Sequence, residues 1–295
     1  MLPATNPQVS KLNTQPETRV KVFMPCYNHV DHIADAIESV LRQKTDFGFK
    51  LIVQDDASTD GTAEIVADYA SRYPDTIEPV LFKDNQFSQG HRIFALAWPR
   101  FDSEYVALLD GDDLWEDPQK LAVQVDFLDR NPDCSLCQTL TRYWDVPNDQ
   151  ELQIFPTKKK RMFFATLDDL ADGNFIQTSA VMFRLSALPS LPSDFGTIPF
   201  GDYAIFALLA RKGSIGLIPK VMALYRVHNA SFWSSRNQEE RTKKTNDVKR
   251  FIMRHIPKSQ QLPWECALEG RPLPFFHKVR PRLRRAMYRL LARSP

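Results

Sequence analysis

Residues 19–61, RVKVFMPCYNHVDHIADAIESVLRQKTDFGFKLIVQDDASTDG, decide the fold class. Arg19–Pro25 is a short run of β-formers closed by a proline. Asp31 is placed to cap a helix, DHIADAIESVLRQK, in which Ile33, Ile37, Val40 and Leu41 recur at i, i+4, i+7 and i+8 on one face. Phe49–Gln54 (FKLIVQ) reads as a second strand, and DDASTDG is a polar turn. Further along, Ile65, Val66, Tyr69, Ala70 and Tyr73 line one side of a second helix. Ile77–Phe82 and Tyr105–Leu109 are a third and a fourth strand. These strands are short and apolar with little alternation, as strands covered on both faces are. Repeated strand–helix–strand units at this spacing predict an α/β fold, a Rossmann-like and mostly parallel central sheet flanked by helices.

The second half is less regular. Gln119–Arg130 predicts a helix stopped by Asn131-Pro132, Ile176–Arg184 a strand, and Asp202–Lys212 a helix ending at Gly213. Gly216–Tyr225 is extended and Glu239–His255 helical, before a proline-rich stretch. The chain parses as a loose polar lead-in (1–18), a main domain (19–255), and a segment (256–295) that is proline-rich and then basic. The lead-in has no basic segment followed by an apolar core, so it is not read as a secretory signal.

The charge is unevenly distributed. The 295 residues carry a net +2, yet residues 271–295 hold eight basic side chains and no acid, so the rest sums to −6. An acidic body argues against a nucleic-acid binder. No apolar run approaches the roughly 20 residues of a membrane-spanning helix. Cys134 and Cys137 are spaced like half a zinc site, but no second pair follows. They read as small buried hydrophobes in a strand, and the cytosol is the expected compartment.

Carboxylates gather where strands end, which in an open α/β sheet is where ligands bind. Asp55 and Asp56 follow the second strand. Asp110, Asp112 and Asp113 (LLDGDDLW) follow the fourth. Three acids in four residues repel one another, and a hard divalent cation, Mg²⁺ or Mn²⁺, would relieve that. A solvated acidic turn is the alternative for an isolated Asp-Gly-Asp-Asp; a second acidic pair one strand away favours the cation. A cation held by few carboxylates completes its shell with substrate phosphates. Neither G-x-x-x-x-G-K-[ST] nor G-x-G-x-x-G occurs, which disfavours NTPase and dehydrogenase readings.

VKVFMPCYNHVDHIADAIESVLRQ, LIVQDDASTDGT and YVALLDGDDLWEDPQKL, in that order, resemble family 2 glycosyltransferases of the GT-A fold. NQFSQG (85–90), VDFLDRNPDCSLC (125–137), QTSAVMFR (177–184) and YRVHNASFWSS (225–235) resemble a bacterial branch used in polysaccharide and lipopolysaccharide assembly. The likeness runs over roughly residues 19–235. It implies a nucleoside diphosphate sugar donor, with Pro25 and Tyr27 at the base and Asp56, with Asp55 beside it, accepting a hydrogen bond from it. It further implies Asp112 and Asp113 at metal and ribose, and Asp110 supporting the turn. Asp202, at the start of a late helix, stands where the family has its catalytic base. A helix N-terminus is expected to lower its pKa and keep it ionised; a plain helix cap is the alternative. His228 is a candidate metal or diphosphate ligand, and Trp233 a residue that closes over the donor. His29, His32, His91 and His255 attract no role.

The activity this implies is inverting, metal-dependent transfer of a sugar to a hydroxyl of a glycan or lipid-linked acceptor. Three rivals differ in sequence. A sugar nucleotidyltransferase carries a glycine-rich basic loop after its first strand, a noncatalytic relative lacks the acids, and a membrane-bound processive synthase has spanning helices. The tail spaces Leu283, Met287, Leu290 and Leu291 helically among arginines. That suits an amphipathic helix on an anionic bilayer, with packing on the acidic body or a subunit contact as alternatives.

Overall fold

The computed structural model describes residues 18–157, 163–188, 190–228 and 237–274. The N-terminal part alternates as its sequence predicts through β1 (Thr18–Cys26), α1 (Ile33–Leu41), β2 (Gly48–Asp55), α2 (Thr62–Arg72) and β3 (Ile77–Leu81); a short helix that the sequence reading did not place, α3 (Ile93–Ala97), then precedes the expected β4 (Tyr105–Leu108). β1 pairs in parallel with β2, and β2 with β3. β4 then pairs in parallel on the other side of β1. The chain thus reverses its direction of travel across the sheet beside β1, and the carboxyl ends of β1 and β4 flank that switch point, where open α/β sheets bind ligands.

β5 (Leu114–Trp115), α4 (Lys120–Arg130), β6 (Cys134–Asp145), β7 (Gln150–Phe155), β8 (Phe164–Ala165), α5 (Leu167–Leu170), β9 (Val181–Arg184), α6 (Asp202–Ala210), β10 (Ser214–Val227), α7 (Gln238–His255) and α8 (Leu262–Glu269) complete the order. Among the described residues the ten strands join one sheet whose main path runs β3-β2-β1-β4-β9-β6-β10-β5. β9 runs antiparallel to both β4 and β6, while β6 and β10 are parallel over a long register.

Both faces of this sheet are covered, which explains why its strands read as continuous apolar runs. Val20, Val22 and Met24 of β1 pack with Ile33, Ala36, Ile37 and Val40 of α1. Phe23 and Ile52 point the other way, into a core with Phe206 of α6 and with Phe251 and Ile252 of α7. Residues 203–210 of α6 are all buried, so the helix is apolar all round. The segment after residue 256, read from sequence as an appendage, begins by packing on this core. Trp264 of α8 is fully buried, its ring 5.9 Å from that of Tyr203. The basic tail beyond residue 274 lies outside the described residues.

Three local expectations change. α1 begins at Ile33 with His32 before it and no side-chain cap; the carbonyl of His29, rather than Asp31, accepts the first amides. The strand expected from Ile176 begins at Val181, because Thr178–Ala180 forms a 3₁₀ turn that carries Ser179 under the acidic turn. Gly213 does not end α6 in a left-handed conformation. It lies against β6, where a Cβ would come within 2.7 Å of the Asp133 carbonyl. All four cysteines are buried and free. Among the described residues no helix is long and apolar enough to cross a membrane.

Candidate active site

The turn Asp110-Gly-Asp-Asp leaves β4 at the switch point and lies against the end of β1. The Gly111 amide donates to the Pro25 carbonyl at 3.0 Å. A Cβ on Gly111 would approach Cys26 Cβ to 2.7 Å and His29 Nδ1 to 3.0 Å, so only glycine fits this approach. The turn sends its three carboxylates to three different environments.

Asp113 points inward and is fully buried. Its Oδ1 accepts the Arg226 amide at 3.0 Å, and its Oδ2 accepts the Ser179 hydroxyl. Burial first, then Asp112 and Asp110, push its carboxyl well above the ordinary range. Asp113, expected from sequence to serve metal or ribose, is thus a brace that ties the turn to β10 and to the 3₁₀ turn. A side chain with both oxygens engaged and no exposure presents nothing to a ligand.

Asp112 turns toward three histidines. Its Oδ2 lies 3.1 Å from His228 Nε2 and 3.7 Å from His29 Nε2, and the His32 ring sits 5.0 Å from that of His228. Burial opposes ionisation of Asp112, but the hydrogen bond with His228 and the fields of His29 and His228 outweigh it and hold the carboxyl below its usual range. Burial pushes both His29 and His32 down, toward neutral imidazole. His29 Nδ1 is buried with no hydrogen-bond partner. Among the described residues no three acids, cysteines or histidines are already gathered around a cation position. The donors that do converge, one carboxylate and one imidazole, suit a first-row divalent ion that takes its remaining ligands from phosphate and water.

Asp110 points to the opposite side of the turn, into a cavity of about 220 Å³ between the ends of β1 and β4 and the start of α6. Pro25, Asp110 and Asp202 meet there, with Thr178, Arg92 and an apolar wall that includes Phe87, Phe94 and Phe200. Asp202 is the first residue of α6. Burial lifts its carboxyl above the ordinary range, and the amides of Tyr203 and Asp202 itself offset only part of that lift. The direction is opposite to the one expected from the helix start alone, and it makes Asp202 a stronger base. Asp110 is raised further, by burial and then by Asp112 and Asp202. A roomier hollow of about 480 Å³, lined by Thr18, Lys21 and Lys50, lies by the amino ends of the strands. Its Lys21 is already paired with Asp102 at 2.7 Å, and no site acid lines it.

The acidic pair after β2 holds loops. Asp55 accepts the Ser58 amide and hydroxyl. Asp56 accepts the amides of Gln86 at 2.7 Å and Phe87 at 3.0 Å, while Asn85 donates back to its carbonyl at 2.9 Å. Asp56, expected to receive a nucleobase, thus anchors the loop that carries Phe87 to the cavity. Tyr27, just past the end of β1, is 46% exposed. Trp233 lies outside the described residues.

Sequence reading missed His29, Ser179, Arg226 and Arg92. Arg226 Nη2 bonds Asp35 at 2.6 Å while its amide holds Asp113, a junction of residues 191 and 113 positions apart. Only Arg92 left a local signal, as a cation set directly before the apolar run IFALA.

Comparison with known proteins agrees with this fold. Residues 21–188 match the description of glycosyl transferase family 2. An uncharacterized protein of Mycobacterium tuberculosis is 35% identical over 218 residues, which cover 73% of this chain and 60% of that one. The match therefore spans about three-fifths of that relative's length. Among solved structures, S. aureus TarS in complex with UDP-GlcNAc superposes with a TM-score of 0.63 at 18% identity, covering 85% of this chain and 72% of that one. A Pyrobaculum calidifontis mannosyltransferase in complex with GDP-Man and Mn²⁺ gives a TM-score of 0.60 at 20% identity, covering 87% and 69%. With this fold, this switch-point site and a family match over more than half its length, the chain belongs to glycosyl transferase family 2 and has the GT-A architecture.

Proposed function

We propose that the chain transfers a sugar, with inversion, from a nucleoside diphosphate sugar to a hydroxyl of a glycan or lipid-linked acceptor. The observation that carries this reading is the meeting of Pro25, Asp110 and Asp202 in one cavity at the switch point. Tyr27 and Pro25 line the approach to the nucleotide, with Tyr27 stacking on the base. Asp202 takes the proton of the acceptor hydroxyl. The hydroxyl oxygen bonds to the anomeric carbon as the bond to the diphosphate oxygen breaks, and that oxygen leaves with the electron pair. One base suffices for a single displacement. Asp110, the second carboxylate in the cavity, is held toward its protonated form and is a poor nucleophile for a double displacement. Burial of Asp202 raises its affinity for the proton it must accept.

Asp112 and His228 are the residues that fit a divalent cation, Mn²⁺ or Mg²⁺. When bound, it supplies positive charge against the diphosphate as negative charge grows there. The mannosyltransferase named above is in complex with Mn²⁺, which supports this reading. Asp113, Ser179 and Arg226 hold the turn that presents Asp112. The transferase unit is residues 19–255 with α8 packed on it, working in the cytosol or on the inner face of the membrane. The eight basic residues of 271–295 bring it to an anionic bilayer and a lipid-linked acceptor.

A screen of nucleoside diphosphate sugars with Mn²⁺, scored for nucleoside diphosphate release, tests the reading. Release with at least one donor, abolished by a chelator, is expected. Pyrophosphate release from a nucleoside triphosphate and sugar phosphate would instead identify a nucleotidyltransferase. Tight donor binding with no turnover on any acceptor would identify a binding relative.

A further inference from the structure

A row of aromatic rings crosses three neighbouring strands, with Phe155 on β7, Tyr143 on β6 and Tyr225 on β10. The ring centres of Phe155 and Tyr143 are 5.4 Å apart. Tyr143 and Tyr225 face one another in the parallel register of β6 and β10, with centres 4.7 Å apart and planes at 40°. All three residues are half-buried. The Tyr143 hydroxyl donates to Gln177 Oε1 at 2.7 Å, and the amide nitrogen of Gln177 has no partner among the described residues. The Tyr225 hydroxyl has none either. The row ends beside the acidic turn, since the residue after Tyr225 gives its amide to Asp113.

Packing does not account for these two free donors. Phe155 fills its place in the row without a hydroxyl, and phenylalanine would pack at position 225 as well. Burial first, then Asp113, Asp112 and Asp110, push the Tyr225 phenol up, so it stays protonated and able to donate. The row also adjoins the reacting centre, because Gln177 leads into Thr178, which lines the cavity with Asp110 and Asp202. At about 220 Å³ that cavity is below the roughly 300–1,000 Å³ of drug-sized sites and has room for about one sugar ring. With the donor sugar inside, the ring that bears the attacking hydroxyl must rest on the rim. An aromatic face takes the C–H side of a pyranose, while a phenol and an amide nitrogen donate to its oxygens. The acids of the turn repel a phosphate or carboxylate placed here, so the surface favours a neutral ring.

We propose that Tyr225, Tyr143 and Gln177 form an acceptor subsite that seats a neutral pyranose ring against the tyrosines, with the Tyr225 hydroxyl and the Gln177 amide nitrogen donating to its oxygens. This deepens the transferase reading above and rests on it for the role of the bound sugar.

The test is a ligand-observed NMR titration of the full chain with methyl glucoside, galactoside, mannoside and N-acetylglucosaminide, in Mn²⁺, with UDP, GDP or no nucleotide. Affinities for UDP and GDP are measured alongside. At least one pyranoside is expected to bind the wild-type chain. Tyr225→Phe keeps the ring and its packing and deletes the free hydroxyl. It should weaken that pyranoside by about two- to tenfold, the worth of a neutral hydrogen bond, and leave UDP and GDP within about twofold. Tyr225→Leu also removes the ring face and should weaken the pyranoside by more than about tenfold. A packing role alone would leave pyranoside affinity unmoved in Tyr225→Phe. Three results overturn the proposal: no pyranoside binds the wild-type chain, Tyr225→Phe binds it as tightly as wild type, or UDP and GDP weaken in step with it, which would put Tyr225 on the donor. Tyr225→Phe decides even if Tyr225→Leu does not fold. If neither UDP nor GDP binds, the transferase reading fails, while the pyranoside affinities still decide whether this surface holds a sugar.

Discussion

Lys120 provides a quantitative test of the packing beneath the acidic turn. It opens α4, is fully buried, and has one hydrogen-bond partner for its ammonium, Gln124 Oε1 at 2.6 Å, with the Trp115 ring centre 4.2 Å away. Burial lowers its pKa from 10.5 to about 7. Between those values the folded chain binds fewer protons here than the unfolded chain does. The stability this residue allows therefore rises with pH across that window and is lowest, and flat, below it. At about 1.36 kcal/mol per unit of pKa, the cost at pH 7 is on the order of 5 kcal/mol and falls by about 4 kcal/mol by pH 10. Lys120→Met fills the same space without the charge but strands Gln124 Oε1, a loss of about 1–3 kcal/mol. The variant is expected to be more stable than wild type at pH 7, by roughly 2–4 kcal/mol, and equal or less stable at pH 10. Urea unfolding of both proteins at the two pH values measures this, and taking differences cancels every other titrating group. A stability difference that is the same at pH 7 and pH 10 would refute the reasoning.

Three further outcomes are expected. Asp56→Asn replaces one of the two acceptors for Gln86 and Phe87 by a donor, so it should cost about 1–3 kcal/mol and speed amide exchange at those two residues, with KM for the donor rising more than kcat falls. Gly111→Ala drives a methyl into Cys26 and the His29 ring and should destabilise by about 1–3 kcal/mol while weakening Mn²⁺ binding, read by titration calorimetry. Because burial raises the Asp202 carboxyl, the base is protonated and lost as pH falls through that raised pKa. The acid limb of the kcat profile should therefore lie above the ordinary carboxylate range and respond to substitution of Asp202.

The strands through β4, with α1 and α2 between them, were legible because their physics is local. Val20, Val22 and Met24 on one face of β1, and Phe23 on the other, make the unbroken apolar run of a strand covered on both sides. The acidic turn stood out in sequence as a candidate site because three acids after a buried strand need a reason. Which acid faces the ligand was not legible. Asp113 is spent on Ser179 and the Arg226 amide, 66 and 113 residues away, and nothing near it in sequence says so. The loop that Asp56 anchors was not legible for the same reason, since its partners lie 30 and 31 residues on. His29 gained its place only when the Gly111 turn was laid against it. The late segments were harder because β9 and β10 join the sheet through pairings set by distant strands.

The most direct test of the central claim is the turnover of Asp202→Asn with a donor that the wild-type chain uses. The amide has the shape of the carboxylate but cannot take a proton. With donor binding measured separately, kcat is expected to fall by about 10²–10⁴-fold while the nucleoside diphosphate sugar still binds. Turnover within a few-fold of wild type at the same pH would contradict the account.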